Sequence, residues 1–208
     1  MTRSNVIQSF TWRIPLNPVA LSTSSATINN VNALNAMGVK LPTVALPNEG
    51  ATGVTVTGLP IFPPYNNVGG LTWVSCEVDW CNTHAGQGFD YHYHGDPFGP
   101  NCLYSVKDYA STTSHPPLIG YGLDGFPIYG RYLDDTAPGY SIALDDCGGH
   151  VHSPDTNNYG YHYHTQVISQ TVTTSGNGLV AGQTYSAFIP GPYKCKQIIV
   201  THFYIRTE

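Results

Sequence analysis

Tyrosine and histidine alternate in Tyr91-His92-Tyr93-His94, and the same four residues return seventy positions later as Tyr161-His162-Tyr163-His164. An extended run turns both histidines to one side and both tyrosines to the other, whereas a helix would scatter them around its circumference. The two runs therefore require strands that present imidazoles in pairs. Eight of the nine histidines lie between His84 and His164, and the ninth is His202. A neutral imidazole is a ready ligand for Zn, Cu, Fe or Ni, so this concentration points to a metal. The plainer alternative is a polar strand face decorated with exposed histidines.

More than four residues recur. Gly58-Leu59-Pro60-Ile61-Phe62 aligns with Gly125-Phe126-Pro127-Ile128-Tyr129, and Cys81 with His84 aligns with Cys147 with His150. From the first glycine to the cysteine the separations are 23 and 22 residues; from that histidine to the run they are 8 and 12, which marks a loop insertion in the second copy. A tandem duplication explains this order. The expected fold is mostly β: a compact, loop-rich, internally duplicated β domain whose pseudo-twofold halves share a core. Residues 51–208 form this duplicated domain, and residues 1–50 form an N-terminal strand and extended segment with a role in assembly.

Only 10% of the 208 residues are charged, where ordinary domains carry about 25%. With 22 glycines, 16 prolines and 15 tyrosines, the composition favours short strands and ordered loops over long exposed helices. A formal charge of −5 with thinly scattered Lys and Arg excludes an electrostatic footprint for nucleic acid. No run of about twenty apolar residues exists, so no transmembrane segment is expected, and the polar start does not open a secretory signal. The low-charge, Tyr-, Thr- and Asn-rich composition tilts toward an extracellular or cell-surface setting.

Five cysteines are compatible with two disulfides and one further thiol. Equivalent halves pair Cys81 with Cys102 and Cys147 with Cys195, leaving Cys76 over. A local Cys76–Cys81 bridge and thiolate ligation to a metal are the alternatives.

Alternation marks residues 6–14 as a strand, with Phe10, Trp12 and Ile14 opposite Ser9, Thr11 and Arg13. It either packs on its own domain or completes a neighbour's sheet by strand addition, which would make a homo-oligomer or filament. Residues 29–37 read as a short helix stopped by Gly38. Further strands are expected at 51–59, 71–78, 102–106, 167–174, 179–189 and 197–206.

The chain resembles the YHYH-domain family. The resemblance rests on Gly58-Leu59-Pro60, Cys81-Asn82-Thr83-His84, Tyr91-His92-Tyr93-His94-Gly95, His115-Pro116-Pro117-Leu118-Ile119-Gly120, Asp124-Gly125-Phe126-Pro127-Ile128-Tyr129-Gly130, Asp146-Cys147-Gly148-Gly149-His150 and Tyr161-His162-Tyr163-His164. It spans about residues 53–196, with the first 50 outside it. The resemblance implies export and a shared site built from these residues, without naming a reaction.

The composite site expected from the residues uses His92, His94, His162 and His164, with His84, His115, His150 and His152 as further ligands or outer partners. Asp90, Asp124, Asp145 and Asp146 are at hand to fix the second ring nitrogens. The four motif tyrosines pack on the opposite face. Such a histidine set favours copper or zinc over calcium, which prefers oxygen; calcium near Asp145, Asp155 and Asn157 is the lesser alternative. The glycines form no phosphate loop and the serines no nucleophile elbow. The preferred reading is a metal-binding extracellular structural protein, a self-assembling surface or filament subunit using N-terminal strand exchange. The alternative is a secreted copper- or zinc-dependent enzyme, with His84 or His150 in proton transfer and Asp124 orienting it.

Overall fold

Short β-prone runs broken by glycine and proline can form only short strands, and these build one mixed sheet. The structure, a computed structural model, describes residues 4–14, 16, 50–64, 66–67, 72–73, 75–88, 90–110, 115–133, 141–144, 148–151, 160–171, 181–182 and 184–190. The strands are β1 (Gly53–Thr55), β2 (Pro60–Ile61), β3 (Thr83–Ala85), β4 (Tyr91–Tyr93), β5 (Leu118–Gly122), β6 (Pro127–Tyr129), β7 (Gly149–His150), β8 (His162–Thr171) and β9 (Thr184–Pro190). A five-residue helix, α1 (Val106–Ala110), lies between β4 and β5. The fold is mostly β, as expected.

Eight strands run in the order β3-β4-β2-β1-β5-β6-β8-β7, and β9 pairs with the later part of β8. At the centre β1 and β5 are antiparallel, with Val54 opposite Tyr121, Gly53 opposite Gly122 and Thr55 opposite Gly120. Outward from this pair the senses are the same on both sides: antiparallel to β2 or β6, parallel to β4 or β8, antiparallel to β3 or β7. The two Gly-x-Pro-Ile segments make the same turn. Gly58 (φ 86°) and Gly125 (φ 94°) take the left-handed conformation and donate to Thr55 O and Gly122 O, both at 2.9 Å. Gly120 is needed for close approach, since a β-carbon there would collide with the Val54 backbone of the paired strand.

The apolar cluster draws on both sides of the centre: Ile61 from β2, Ile119 from β5, Phe126, Ile128 from β6 and Tyr163 from β8. A polar cluster lies beside it. Asp96, fully buried just after β4, accepts hydrogen bonds from Arg131 Nη1 (2.8 Å), Thr165 Oγ1 (2.6 Å) and Tyr109 Oη (2.5 Å). β4 and β8 are five steps apart in the sheet, so a flat sheet would hold them about 24 Å apart. The Asp96–Thr165 bond therefore requires the sheet to coil. Helix α1 supplies Tyr109. Ser105 and Asp108 form a capping-box-like pair at its start, with Ser105 N and Oγ both 2.7 Å from Asp108 Oδ2.

Several expectations are revised. Residues 4–14 keep their alternation, with Phe10, Trp12 and Ile14 half-buried, but they form no strand among the described residues; the Trp12 indole donates to Gly58 O at 3.0 Å. The described part of 71–78 is turns rather than strand, because Cys76 takes φ 55° and Glu77 N bonds back to Thr72 O. The strand expected at 51–59 stops at Thr55, where the glycine turn begins. The 102–106 strand reduces to a bridge between Tyr104 and Phe98, and α1 follows. Strand β8 starts at His162, earlier than the expected 167, and β9 covers 184–190 after a turn at Gly182. Cys81 and Cys102 are disulfide-bonded, as the equivalence of halves predicts, which overturns both the Cys76–Cys81 bridge and thiolate ligation by this pair. The helix at 29–37, the strand at 197–206, Cys147 and Cys195 lie outside the described residues.

Replacing Asp96 with Ala leaves the Arg131 guanidinium buried without its carboxylate. The expected loss is about 3–5 kcal/mol, read as a shift in the urea midpoint; a loss below about 1 kcal/mol would show that water solvates Arg131 instead.

Candidate metal centres

The antiparallel pairing of β3 with β4 sets His84 directly opposite His92, and the period of two places His94 on the same face. Their three Nε2 atoms form a triangle with sides of 3.0, 3.0 and 3.1 Å. His92 and His94 are buried and His84 is half-buried. Phe62 stacks on His92 at 4.0 Å between ring centroids.

The antiparallel pairing of β7 with β8 repeats the arrangement, with His150 opposite His162 and His164 following. Here His115, from the segment leading into β5, also enters. His115 and His162 Nε2 are 3.2 Å apart, and His162 and His164 Nε2 are 3.1 Å apart, all three residues buried. The His150 ring lies 5.0 and 4.9 Å from those of His162 and His164, close to the 4.7 and 4.9 Å that separate His84 from His92 and His94.

The chemistry of each group follows from its other nitrogens. His94 Nδ1 faces Pro63 O, His164 Nδ1 faces Gly130 O, His162 Nδ1 faces Gly160 O, His115 Nδ1 faces Pro116 O and His150 Nδ1 faces Ile142 O. His92 Nδ1 faces the Asp90 carboxylate at 3.1 Å and its carbonyl at 3.2 Å. Every one of these oxygens only accepts, so each Nδ1 carries the proton and each neutral Nε2 presents a lone pair. Burial keeps His92, His94 and His164 neutral. It lowers His92 from the ordinary value, lowers His94 to about 3 and lowers His164 to about 2, against the opposing pull of Asp90, Pro63 O and Gly130 O.

The Nε2 lone pairs of His92 and His94, 3.0 Å apart, repel one another unless a proton or a cation lies between them, and His84 Nε2 completes the triangle. The centre of the first triangle is about 1.8 Å from each nitrogen, so ligand bonds of about 2.0–2.1 Å reach one shared point just off its plane. His84, His92 and His94, and separately His115, His162 and His164, could each hold a metal ion.

The expected composite of His92, His94, His162 and His164 thus divides in two. β4 and β8 lie on opposite sides of the β1–β5 pair, and each run is completed by histidines of its own surroundings. Asp90 backs His92 as expected. The Asp124 carboxylate accepts from Tyr163 Oη at 2.7 Å and Phe126 N at 3.2 Å. The tyrosines turn away from the imidazoles, Tyr163 into the core and Tyr91 onto Asp79 and Thr83. His152, Asp145, Asp146, Asp155 and Asn157 lie outside the described residues. Phe62, Asp96 and Arg131 were not anticipated; Phe62 had a signal, because the repeat aligns it with Tyr129, whose ring lies 5.3 Å from His162.

A family model described as YHYH protein matches residues 11–141. The chain belongs to the YHYH family. The match begins inside the N-terminal segment, which corrects the expectation that the first 50 residues fall outside the family. It takes in the first histidine triad and His115 and ends before His150, His162 and His164. No curated protein and no solved structure matches this YHYH chain.

The neutral histidines fix an acid response in the metal-free protein. Below the ordinary value of 6.5 the unfolded chain protonates His94 and His164, while the folded chain does so only near about 3 and 2. Stability is therefore full above pH 6.5 and falls as pH decreases, by about 1.4 kcal/mol per pH unit for each of the two. Urea denaturation of metal-free protein between pH 7 and 4 reads this slope; a flat midpoint over that range would mean that the folded rings are already protonated.

Proposed function

We propose that this YHYH protein is a metal-binding extracellular structural protein, with copper or zinc held by histidine and with chains joined through the N-terminal segment. The observation that carries the reading is the convergence of imidazole Nε2 atoms on two points, one built by the adjacent strands β3 and β4, the other by β8 with His115 from the segment leading into β5. His84, His92 and His94 serve one ion; His162 and His164 serve the other with His115, and His150 stands beside them. Nitrogen donors without carboxylates in contact favour copper or zinc over calcium. Across both groups the ion would cross-link short strands and offset the repulsion of their lone pairs, so binding energy becomes folding energy.

The matching senses of strand pairing on the two sides of β1 and β5 support the reading of the halves as copies of one unit, each with its own site. The disulfide, and the absence of any helix among the described residues long and apolar enough to cross a membrane, are consistent with an exported chain. Strand exchange is supported by residues 4–14, an alternating segment that forms no strand in its own sheet and exposes Val6 and Ile7.

Elemental analysis of protein purified without chelator should find up to two copper or zinc ions per chain. His92→Ala and His162→Ala should each remove one ion, and chelation should lower the melting temperature of the parent protein. Metal-free material whose melting temperature does not respond to added copper or zinc would overturn the metal reading. Deleting residues 1–14 should abolish multimers in size-exclusion chromatography while leaving the metal content intact; unchanged multimers would remove strand exchange.

A further inference from the structure

The buried carboxylate of Asp96 stands between the two histidine groups in covalent and hydrogen-bonded terms. On one side it follows His94 by two residues, and Asn82 ties both: Asn82 O accepts from His94 N at 2.7 Å while its Nδ2 donates to Asp96 O at 2.8 Å. On the other side Asp96 holds Thr165, the residue after His164, at 2.6 Å. It also holds Arg131 at 2.8 Å, the residue after Gly130, whose carbonyl accepts from His164 Nδ1. Both attachments that orient His164, its own backbone and its Nδ1 acceptor, are thus one residue from an Asp96 partner.

We propose that the two histidine groups bind metal as a coupled pair, with Asp96 as the positioning residue that carries the coupling. The inference rests on the metal reading above. Without an ion, repulsion between the Nε2 lone pairs of His92 and His94 favours splaying of His94, and Asn82 passes that displacement to Asp96. An ion at the first group draws His94 in and fixes Asp96, which sets Thr165 and Arg131 and with them His164. Part of the ordering needed by the second group is then already in place. Linkage makes the effect reciprocal. The coupling requires that Asp96 alternate between aligned and displaced partners, with each site biasing the same choice.

The test is calorimetric titration of the metal-free full chain with Zn²⁺ alone. His162→Gln isolates the first group and His92→Gln isolates the second. The intact protein should bind the second ion more tightly than the isolated groups predict, by a factor in the roughly 5- to 150-fold range typical of coupled sites, and the factor should be the same in both directions. Thr165→Val removes one bond to Asp96 without touching an imidazole; it should bring the factor toward one, and Thr165→Ser should restore it. Simple loss of stability would weaken both steps without this hydroxyl-dependent rescue. Independent binding in the intact chain, or full coupling retained in T165V, overturns the proposal while leaving the metal reading standing. If T165V does not fold, the size of the coupling in the intact chain against the two histidine variants decides, and a factor of one overturns the proposal. No zinc bound by any form overturns the metal reading and the coupling together.

Discussion

In a chain that spends charge so sparingly, the placement of Asp96 and Arg131 in the interior is the constraint on which the rest of the arrangement turns. Burial pushes the Asp96 carboxyl upward from its ordinary range, and Arg131 is the largest influence holding it back. An isolated buried carboxylate would be costly; three donors and a guanidinium satisfy this one. The donors come from α1, from Arg131 two residues past β6 and from β8, so the bond set forms only when the sheet has coiled far enough to bring β4 and β8 together. Phe98 and Tyr109 flank the guanidinium, whose central carbon lies 4.7 and 5.7 Å from their ring centres, and the pair is thereby walled from water. Such a cluster favours one closure of the sheet over its alternatives, because every partial closure strands a charge.

Two of the imidazoles depend on that closure for their orientation. The Nδ1 acceptors of His94 and His164 are supplied from elsewhere in the chain: Pro63 just past β2 for His94, and Gly130 just past β6 for His164. These are equivalent places beside the parallel pairs β2–β4 and β6–β8. In β8 a slip by one residue would turn Tyr163 out of the core and send the imidazoles into it. Tyr163, fully buried and bonded to Asp124, fixes the register from the opposite face.

Much of this was legible in the sequence. Period-two alternation placed both histidines of each run on one face, and the internal repeat named His84 and His150 as their companions, since pairing of adjacent short strands is a local matter. The Cys81–Cys102 bridge followed from the same equivalence. What the sequence did not disclose depends on the coil of the sheet. Asp96 and Arg131 are 35 residues apart and belong to no periodic pattern, so nothing local joins them. The separation of the histidines into two groups, rather than one composite, depends on strand order, which alternation does not encode. Helix α1 was missed because five residues carry too little periodicity to stand out from a loop.

The two halves do not complete their sites in the same way, and the difference bears on what the sites are for. The first group has three histidines with one half-exposed, while the second gathers His115 and His150 on the same buried pair. Among the described residues the strands around both are two to five residues long, apart from β8 and β9, and the largest apolar cluster has five members. A sheet of such short strands gains little from any single pairing, which is the situation in which small scaffolds rely on staples. Under the proposed metal reading, three buried imidazoles with the His150 ring beside them suit a staple better than a reaction, because a reacting ion needs a position left open to a substrate. Under the same reading the half-exposed His84 leaves the first group open to solvent, while the burial of His115, His162 and His164 suits the second to holding the sheet together.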